Sequence, residues 1–197
     1  MTQTQTRRLP YAIEGPVREG RWGSVGFRLA DPLAPKACRQ AAAQLLHTFR
    51  LNWVPDLVDD VQTIVTELVA NACQHAAGAY PAGSLTIWHP NVWLIIAVHD
   101  KNPHQPWRQL RRAREGLTSL EAEDGRGLAM VHALAQAHHG EVSFSSDGHY
   151  REEVNEHGRK VRKPLGKVTT VKMLMPNVVW PHTFYDPWRK RKITGRP

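Results

Sequence analysis

The sequence lacks the features of secreted, redox and membrane-spanning proteins. Its 197 residues include only two cysteines, Cys38 and Cys73, without the C-x-x-C spacing of a redox pair or a zinc site. Both lie in apolar, helix-like surroundings, which favours buried free thiols. No run approaches the roughly 18 apolar residues of a transmembrane helix, and the N-terminus MTQTQTRRLP lacks the apolar segment of a signal peptide. We therefore expect a cytoplasmic protein without membrane contact.

Acidic residues are also in short supply. The chain has 18 Asp and Glu against 26 Lys and Arg, a formal net charge of +8, which suits an anionic partner such as a nucleotide, a nucleic acid or an acidic protein. The alternative is that the segments rich in Lys and Arg are solvated and bind no partner. Two common enzyme signatures are missing: the Gly-Lys-Ser/Thr phosphate loop and the Gly-x-Ser-x-Gly nucleophile elbow. The basic residues concentrate in TRRLP, RQLRRAR (108–114), HGRKVRK (157–163) and the terminal WRKRKITGRP.

The pattern along the chain predicts one domain with two extensions. Residues 1–20 have no apolar periodicity and are expected to form a flexible arm, residues 21–176 the domain, and residues 177–197 a basic tail. Within the domain the predicted order is strand, helix, helix, strand, strand, a lid at 101–124, helix, strand and strand, and a polar insertion at 146–165 separates the last two strands. Strands joined by short turns, with helices gathered between them, predict an α+β fold: a two-layer sandwich of a mixed β-sheet under a helical layer.

The predicted helix from Leu57 to about Ala77 carries polar residues at four-residue intervals, within TELVANACQHA. Glu67 and Asn71 lie at one edge of its apolar arc, whereas His75 falls inside the arc and is expected to be a packed core histidine. Glu67 and Asn71 are either a pair that keeps the helix soluble or part of a site. In a site, the carboxylate can act as a general base and the amide oxygen can bind Mg²⁺.

Two further segments suggest a ligand site. Asp100 ends an almost continuously apolar strand, so it is either a turn residue or a carboxylate that faces a crevice and accepts from an exocyclic amine such as that of adenine. The segment DGRGL, residues 124–128, supplies glycines just before a helix. Its backbone N–H groups can hold phosphate, or the glycines simply give a flexible helix entry.

The ordered combination of ELVANACQHA, a strand ending at Asp100, a lid, DGRGLAMVHALA and TTV resembles the GHKL (Bergerat-fold) ATP-binding superfamily. Within it, the chain resembles the anti-sigma-factor serine/threonine kinases of actinobacterial type, from Val25 to Met175. The resemblance implies that Glu67 is the general base, that Asn71 is a magnesium ligand and that Asp100 reads adenine. It further implies that the remaining cofactor-binding residues are Gly125, Arg126, Gly127 and Leu128 on the phosphate side and Thr170 near the adenine.

The same resemblance implies ATP and Mg²⁺ as cofactors and γ-phosphoryl transfer to a serine or threonine of an anti-anti-sigma factor. It also implies that the chain sequesters a sigma factor, and a homodimer is one oligomeric state that it suggests. The loop DKNPHQP departs from the family's Asp-x-Gly-x-Gly pattern, because Asn102 replaces the first glycine. That departure favours an alternative, a noncatalytic partner-binding regulator with weak or lost ATP binding. Direct nucleic-acid binding through the basic tail is not expected.

Overall fold

The structure is a computed structural model that describes residues 21–52, 54, 56–76, 82–89, 92–116, 126–175, 183–186 and 191–194. The flexible arm predicted for residues 1–20 lies outside these ranges. Four helices are described: α1 (Ala34–Thr48), α2 (Leu57–Ala76), α3 (Trp107–Arg114) and α4 (Arg126–Ala137). The strands are β1 (Arg21–Arg28), β2 (Ala82–His89), β3 (Trp93–Asp100), β4 (Glu141–Ser146), β5 (Tyr150–Val154), β6 (Lys160–Pro164), β7 (Lys167–Leu174), β8 (Thr183–Asp186) and β9 (Arg191–Thr194).

Five of these strands form the main sheet, in the order β1-β2-β3-β7-β4. Helices α1, α2 and α4 pack on it, so the predicted α+β fold with a helical layer is confirmed. The sheet is not mixed, however, because all four pairings described within it are antiparallel. Strands β3 and β4 run in the same direction, but β7 lies between them and pairs with both. No parallel ladder therefore forms among the described strands.

The apolar face of α2 forms the centre of the core. The residues that the helical period assigned to its apolar arc are all buried: Leu57, Val61, Ile64, Val65, Leu68 and Ala72. Across from them lie the inward residues of β2, β3 and β7, including Leu85, Ile96 and Val171, each fully buried. Burial of this kind stabilises a fold by roughly 25 cal/mol per Å² of apolar surface removed from water. The rigid layer so formed fixes α2 against the end of β3.

The region predicted as an irregular lid contains a helix. Helix α3 is anchored by Leu110, which is fully buried, and by an edge-on contact between the rings of Trp107 and Phe144, whose centroids lie 5.0 Å apart. The Arg114 guanidinium also donates to the Val142 carbonyl at 3.0 Å. Only Trp107, Leu110 and Ala113 are apolar in this helix, so its sequence is polar overall although the three lie on one face. Residues 117–125 lie outside the described part of the chain.

The polar insertion forms a separate hairpin. Strands β5 and β6 pair with each other and not with the main sheet. The base of the hairpin is held by Asp147, whose side chain is 2% exposed and accepts from His99 and Lys101, each at 3.1 Å. Burial opposes ionisation of Asp147, but hydrogen bonds from His99, the His149 N–H and Lys101 outweigh it and lower its pKa. In the predicted basic tail, β8 and β9 form a second hairpin.

Both cysteines are free, as predicted. Cys38 is fully buried, and burial, with a smaller contribution from Cys73, raises its pKa to about 12. Cys73 is only partly buried, which corrects the expectation of two buried thiols; burial, followed by the charge of Asp31, raises its pKa. None of the helices in the described ranges has the length and apolarity to span a lipid bilayer.

Candidate functional site

A cavity of about 590 Å³ opens between α2, the end of β3, the start of α4 and β7. Its volume lies within the range of small-molecule sites, about 300–1,000 Å³. The structure brings to it most of the residues predicted for the site: Glu67, Asn71, Asp100, Arg126, Gly127 and Leu128. Gly125 lies outside the described residues.

One wall of the cavity is a polar stripe on α2. Glu67, Asn71 and His75 follow one another at four-residue spacing and all line the cavity. Glu67 and Asn71 are partly exposed, so their polar atoms remain available to a ligand. His75 is exposed and is not a core histidine. The prediction for His75 was wrong because α2 ends at Ala76, and its last turn extends past the layer that buries Ala72.

Asp100 forms the buried floor of the cavity. The residue is 2% exposed, and a buried carboxylate needs compensating partners to remain charged. Its Oδ1 accepts from the Asn102 backbone N–H at 2.8 Å and from Lys167 Nζ at 3.0 Å. Its Oδ2 lies 2.8 Å from the same ammonium. Asp100 is thus held in one orientation with a cation beside it.

Lys167 was missed by the sequence analysis. It is 8% exposed, lines the cavity and begins β7. Side chains alternate across a strand, so Lys167 shares the inward face with Thr169, Val171 and Met173. The sequence did contain a signal for Lys167, because it stands at the same alternating position along the strand as these apolar and buried residues. A charge on the buried face of a strand requires a partner.

The same alternation separates the two threonines of β7. Thr169 is 6% exposed and lines the cavity. Thr170 faces the opposite side of the sheet, where its register partners are Ala97 on β3 and Ser143 on β4. The structure therefore does not bring Thr170 to the cavity, and Thr169 occupies the position expected for it. The two residues share a side-chain type, so composition could not distinguish them.

The loop DKNPHQP is held by hydrogen bonds of Asn102, which stands where the family pattern has its first glycine. The Asn102 side-chain amide donates to the His75 carbonyl at 3.1 Å, and its Oδ1 accepts from the His104 N–H at 2.9 Å. Side-chain to backbone bonds of this kind fix a turn that glycine would leave to backbone freedom. The departure from the family pattern thus gives a loop that is bonded to the end of α2.

Gly127 brings the start of α4 against Glu67. A Cβ atom built on Gly127 would overlap Glu67 Oε2 and lie 3.3 Å from Glu67 Cδ. The absence of a side chain is therefore what allows the helix to approach the carboxylate this closely. The first turn of an α-helix has backbone N–H groups without intrahelical partners and a positive dipole end, which favour anions. Arg126, the first residue of α4, is exposed beside them.

These features fit the parts of a nucleoside triphosphate. A buried acceptor at the floor suits an exocyclic amine of a base, and the start of α4 suits phosphate. Asn71, partly exposed on the adjoining wall, offers the amide oxygen that a magnesium ion bound to phosphates prefers.

The comparison with protein-family models agrees with this fit. The model of a family described as histidine kinase-like ATPase domains matches residues 29–152. Among solved structures, the chain is similar to a mycobacterial sensor histidine kinase, MprB, at 16% identity and a TM-score of 0.39, over 59% of this chain and 71% of that one. No curated protein gives a significant match. Because the family model covers more than half of the chain, the protein belongs to the histidine kinase-like ATPase domain family, whose members bind ATP.

Proposed function

We propose that this protein is an ATP-dependent serine/threonine protein kinase that phosphorylates an anti-anti-sigma factor and sequesters a sigma factor. The observation that carries the catalytic part is the position of Glu67: partly exposed, at the wall of the nucleotide cavity and against the start of α4. A carboxylate at that position is not needed to bind the base of ATP, because Asp100 already has that role in this proposal. The likeness to anti-sigma-factor kinases in the order of the motifs supports the choice of substrate and partner.

Each residue has a distinct role in this proposal. Asp100 accepts from the adenine amine, the start of α4 at Arg126, Gly127 and Leu128 binds phosphate, and Asn71 holds Mg²⁺, which offsets phosphate charge when it is bound. Glu67 accepts the proton of the attacking serine or threonine hydroxyl. That oxygen bonds to the γ-phosphorus, the bond from the γ-phosphorus to the β–γ bridging oxygen breaks, and ADP carries the electron pair away.

The test is phosphoryl transfer from labelled ATP, with Mg²⁺, to purified candidate anti-anti-sigma factors. We expect transfer by the wild type and a loss of about 10²- to 10⁴-fold in Glu67→Gln, the usual effect of a general base, with ATP binding retained. Asp59→Asn is the matched control, since Asp59 is an exposed carboxylate on the same helix and outside the cavity. No transfer by the wild type, or equal transfer by Glu67→Gln, would contradict the kinase proposal.

A second candidate is a noncatalytic regulator that binds a protein partner and binds ATP weakly or not at all. The observation that favours it is that Lys167 already bonds to both oxygens of Asp100, so a base amine must share that carboxylate. Calorimetric titration with ATP separates the two candidates. Binding that Asp100→Asn abolishes, followed by transfer, supports the kinase; binding without transfer, or no binding, supports the regulator.

A further inference from the structure

Lys167 and Asp100 form an ion pair at the floor of the nucleotide cavity. Both side chains are largely enclosed, at 10% and 3% exposure, yet both residues line the cavity. The ammonium lies 2.8 Å from Asp100 Oδ2 and 3.0 Å from Oδ1. It makes a third, longer bond of 3.4 Å to the Asn102 carbonyl. The pair therefore presents one acceptor and one donor side by side to any base in the cavity.

Both members retain bonding capacity. A carboxylate accepts at about four sites. Within the described part of the chain, Oδ2 of Asp100 contacts only Lys167, so it can accept from a ligand as well. The lysine ammonium has three donors. The 3.4 Å bond to the Asn102 carbonyl is the weakest of its three contacts, so a closer acceptor on a ligand would replace it.

This arrangement matches one edge of adenine. Its exocyclic amine is a donor and the adjacent ring nitrogen N1 is an acceptor. Guanine presents the reverse at the same two positions, a carbonyl oxygen and an N1–H. We propose that Lys167 is a specificity-determining residue that donates to adenine N1 while Asp100 accepts from the amine. This inference rests on the ATP binding of the proposed function but not on phosphoryl transfer.

Charge and geometry distinguish this role from that of a simple counter-ion. A counter-ion stabilises Asp100 whether or not a nucleotide is bound, and it gains nothing from N1. A lysine that recognises the base makes ATP bind more tightly than an analogue without N1. Loss of the acceptor leaves a buried ammonium without its hydrogen bond to the nucleotide. Thr169 is the other nearby donor, since its hydroxyl also lines the cavity, and the experiment must separate the two.

The experiment measures the binding of ATP, 1-deaza-ATP and GTP by calorimetry at fixed Mg²⁺ and ionic strength. 1-Deaza-ATP keeps the amine and replaces N1 by C–H. For the wild type we expect 1-deaza-ATP to bind about 10- to 100-fold more weakly than ATP, the effect of one hydrogen bond to a charged group, and GTP to bind more weakly still. In Lys167→Met the ratio of the 1-deaza-ATP dissociation constant to the ATP dissociation constant should fall to near one.

Lys172→Met is the matched control. Lys172 lies on the same strand but faces the other side of the sheet, where it pairs with Glu141 at 3.0 Å. This variant should keep the wild-type ratio. If Lys167→Met fails to fold because Asp100 is left as a buried charge, Thr169→Val keeps both charges and removes the competing hydroxyl donor. Its ratio should stay at the wild-type value.

The outcomes separate the inference from the function. A wild-type ratio near one, a ratio that survives in Lys167→Met or a ratio that is lost in Thr169→Val overturns the role of Lys167 and leaves ATP binding intact. In the last two cases Thr169 or a water binds N1. ATP binding with the expected ratio but no phosphoryl transfer overturns the kinase and supports the inference. A wild type that binds no ATP overturns both.

Discussion

At the scale of single residues, the contact between Gly127 and Glu67 is the most sensitive point of the site. A methyl group at position 127 would overlap the Glu67 carboxylate and approach Asn71 Nδ2 to 3.9 Å. In Gly127→Ala we expect the carboxylate to move, and a shift of about 1 Å at a catalytic group can cost roughly 100-fold in rate. Stability should change little, since alanine is preferred over glycine in a helix by about 1 kcal/mol.

The measurement is phosphoryl transfer together with thermal unfolding of the same samples. The double variant Gly127→Ala/Glu67→Ala is the control, because it removes the oxygen that the new methyl group meets. Its melting temperature should lie about 2–4 °C above that of Glu67→Ala, because the helix preference of alanine is then not offset by the overlap. A Gly127→Ala protein with wild-type transfer would show that the carboxylate has room to move without consequence.

Residues of the site differ in how far sequence could predict them. Glu67 and Asn71 were predicted because helical period fixes the face of α2, and Asp100 because a strand end is visible in the pattern. The alternation along β7 indicates its inward face, but the family resemblance assigned the threonine to position 170, and a shift of one residue moves the side chain to the other face. The pairing of Lys167 with Asp100 joins residues 67 positions apart, a contact that only the sheet creates.

At the scale of elements, the hairpin of β5 and β6 is fastened to β3 by a buried carboxylate. The lowered pKa of Asp147 means that its charge stabilises the folded state. The contribution is fully present above the pKa of an unfolded aspartate, about 3.9. It is lost as pH falls through the lower pKa of the folded state.

We therefore expect the melting temperature of the wild type to fall more steeply below about pH 4 than that of Asp147→Asn. Near pH 7 the variant should be less stable, because His99 and Lys101 lose their charged acceptor. Thermal unfolding from pH 2.5 to 7 measures both effects. Parallel curves for the two proteins would mean that folding does not change the pKa of Asp147.

The hairpin itself lies outside the main sheet, so the nucleotide cavity should not depend on it. The Leu165 N–H donates to the His149 carbonyl at 2.9 Å, which makes residues 149 and 165 neighbours. Replacing residues 150–164 by a short Asn-Gly turn therefore keeps Asp147 and closes the gap without strain. We expect unchanged ATP affinity by calorimetry. Weaker binding would show that the hairpin supports Asp100 or Lys167.

Elements also show why the lid was only partly predictable. Helix α3 contains four arginines and a single fully buried side chain, Leu110, so its sequence is polar overall although its apolar residues share one face. Its position comes from the contacts of Trp107 with Phe144 and of Arg114 with β4. Tertiary contacts of this kind override local propensity. The antiparallel pairing of the sheet also depends on tertiary contacts. Strand β7 follows the hairpin in the chain, yet it pairs between β3 and β4.

At the scale of the whole molecule, a ligand that binds only the folded state stabilises the entire domain. At a free concentration of 100 times its dissociation constant, ATP should add about 2.7 kcal/mol. For a domain of this size that corresponds to a rise of roughly 5–10 °C in melting temperature.

Glu67→Gln should keep this rise, because the carboxylate of Glu67 serves transfer and not binding. Asp100→Asn should lose most of it, since the amide of Asn102 and the ammonium of Lys167 then lack the anion that aligns them for the base. Differential scanning fluorimetry over a series of ATP concentrations, with Mg²⁺ constant, measures all three proteins together. A rise that persists in Asp100→Asn would mean that the nucleotide stabilises the fold from outside this cavity.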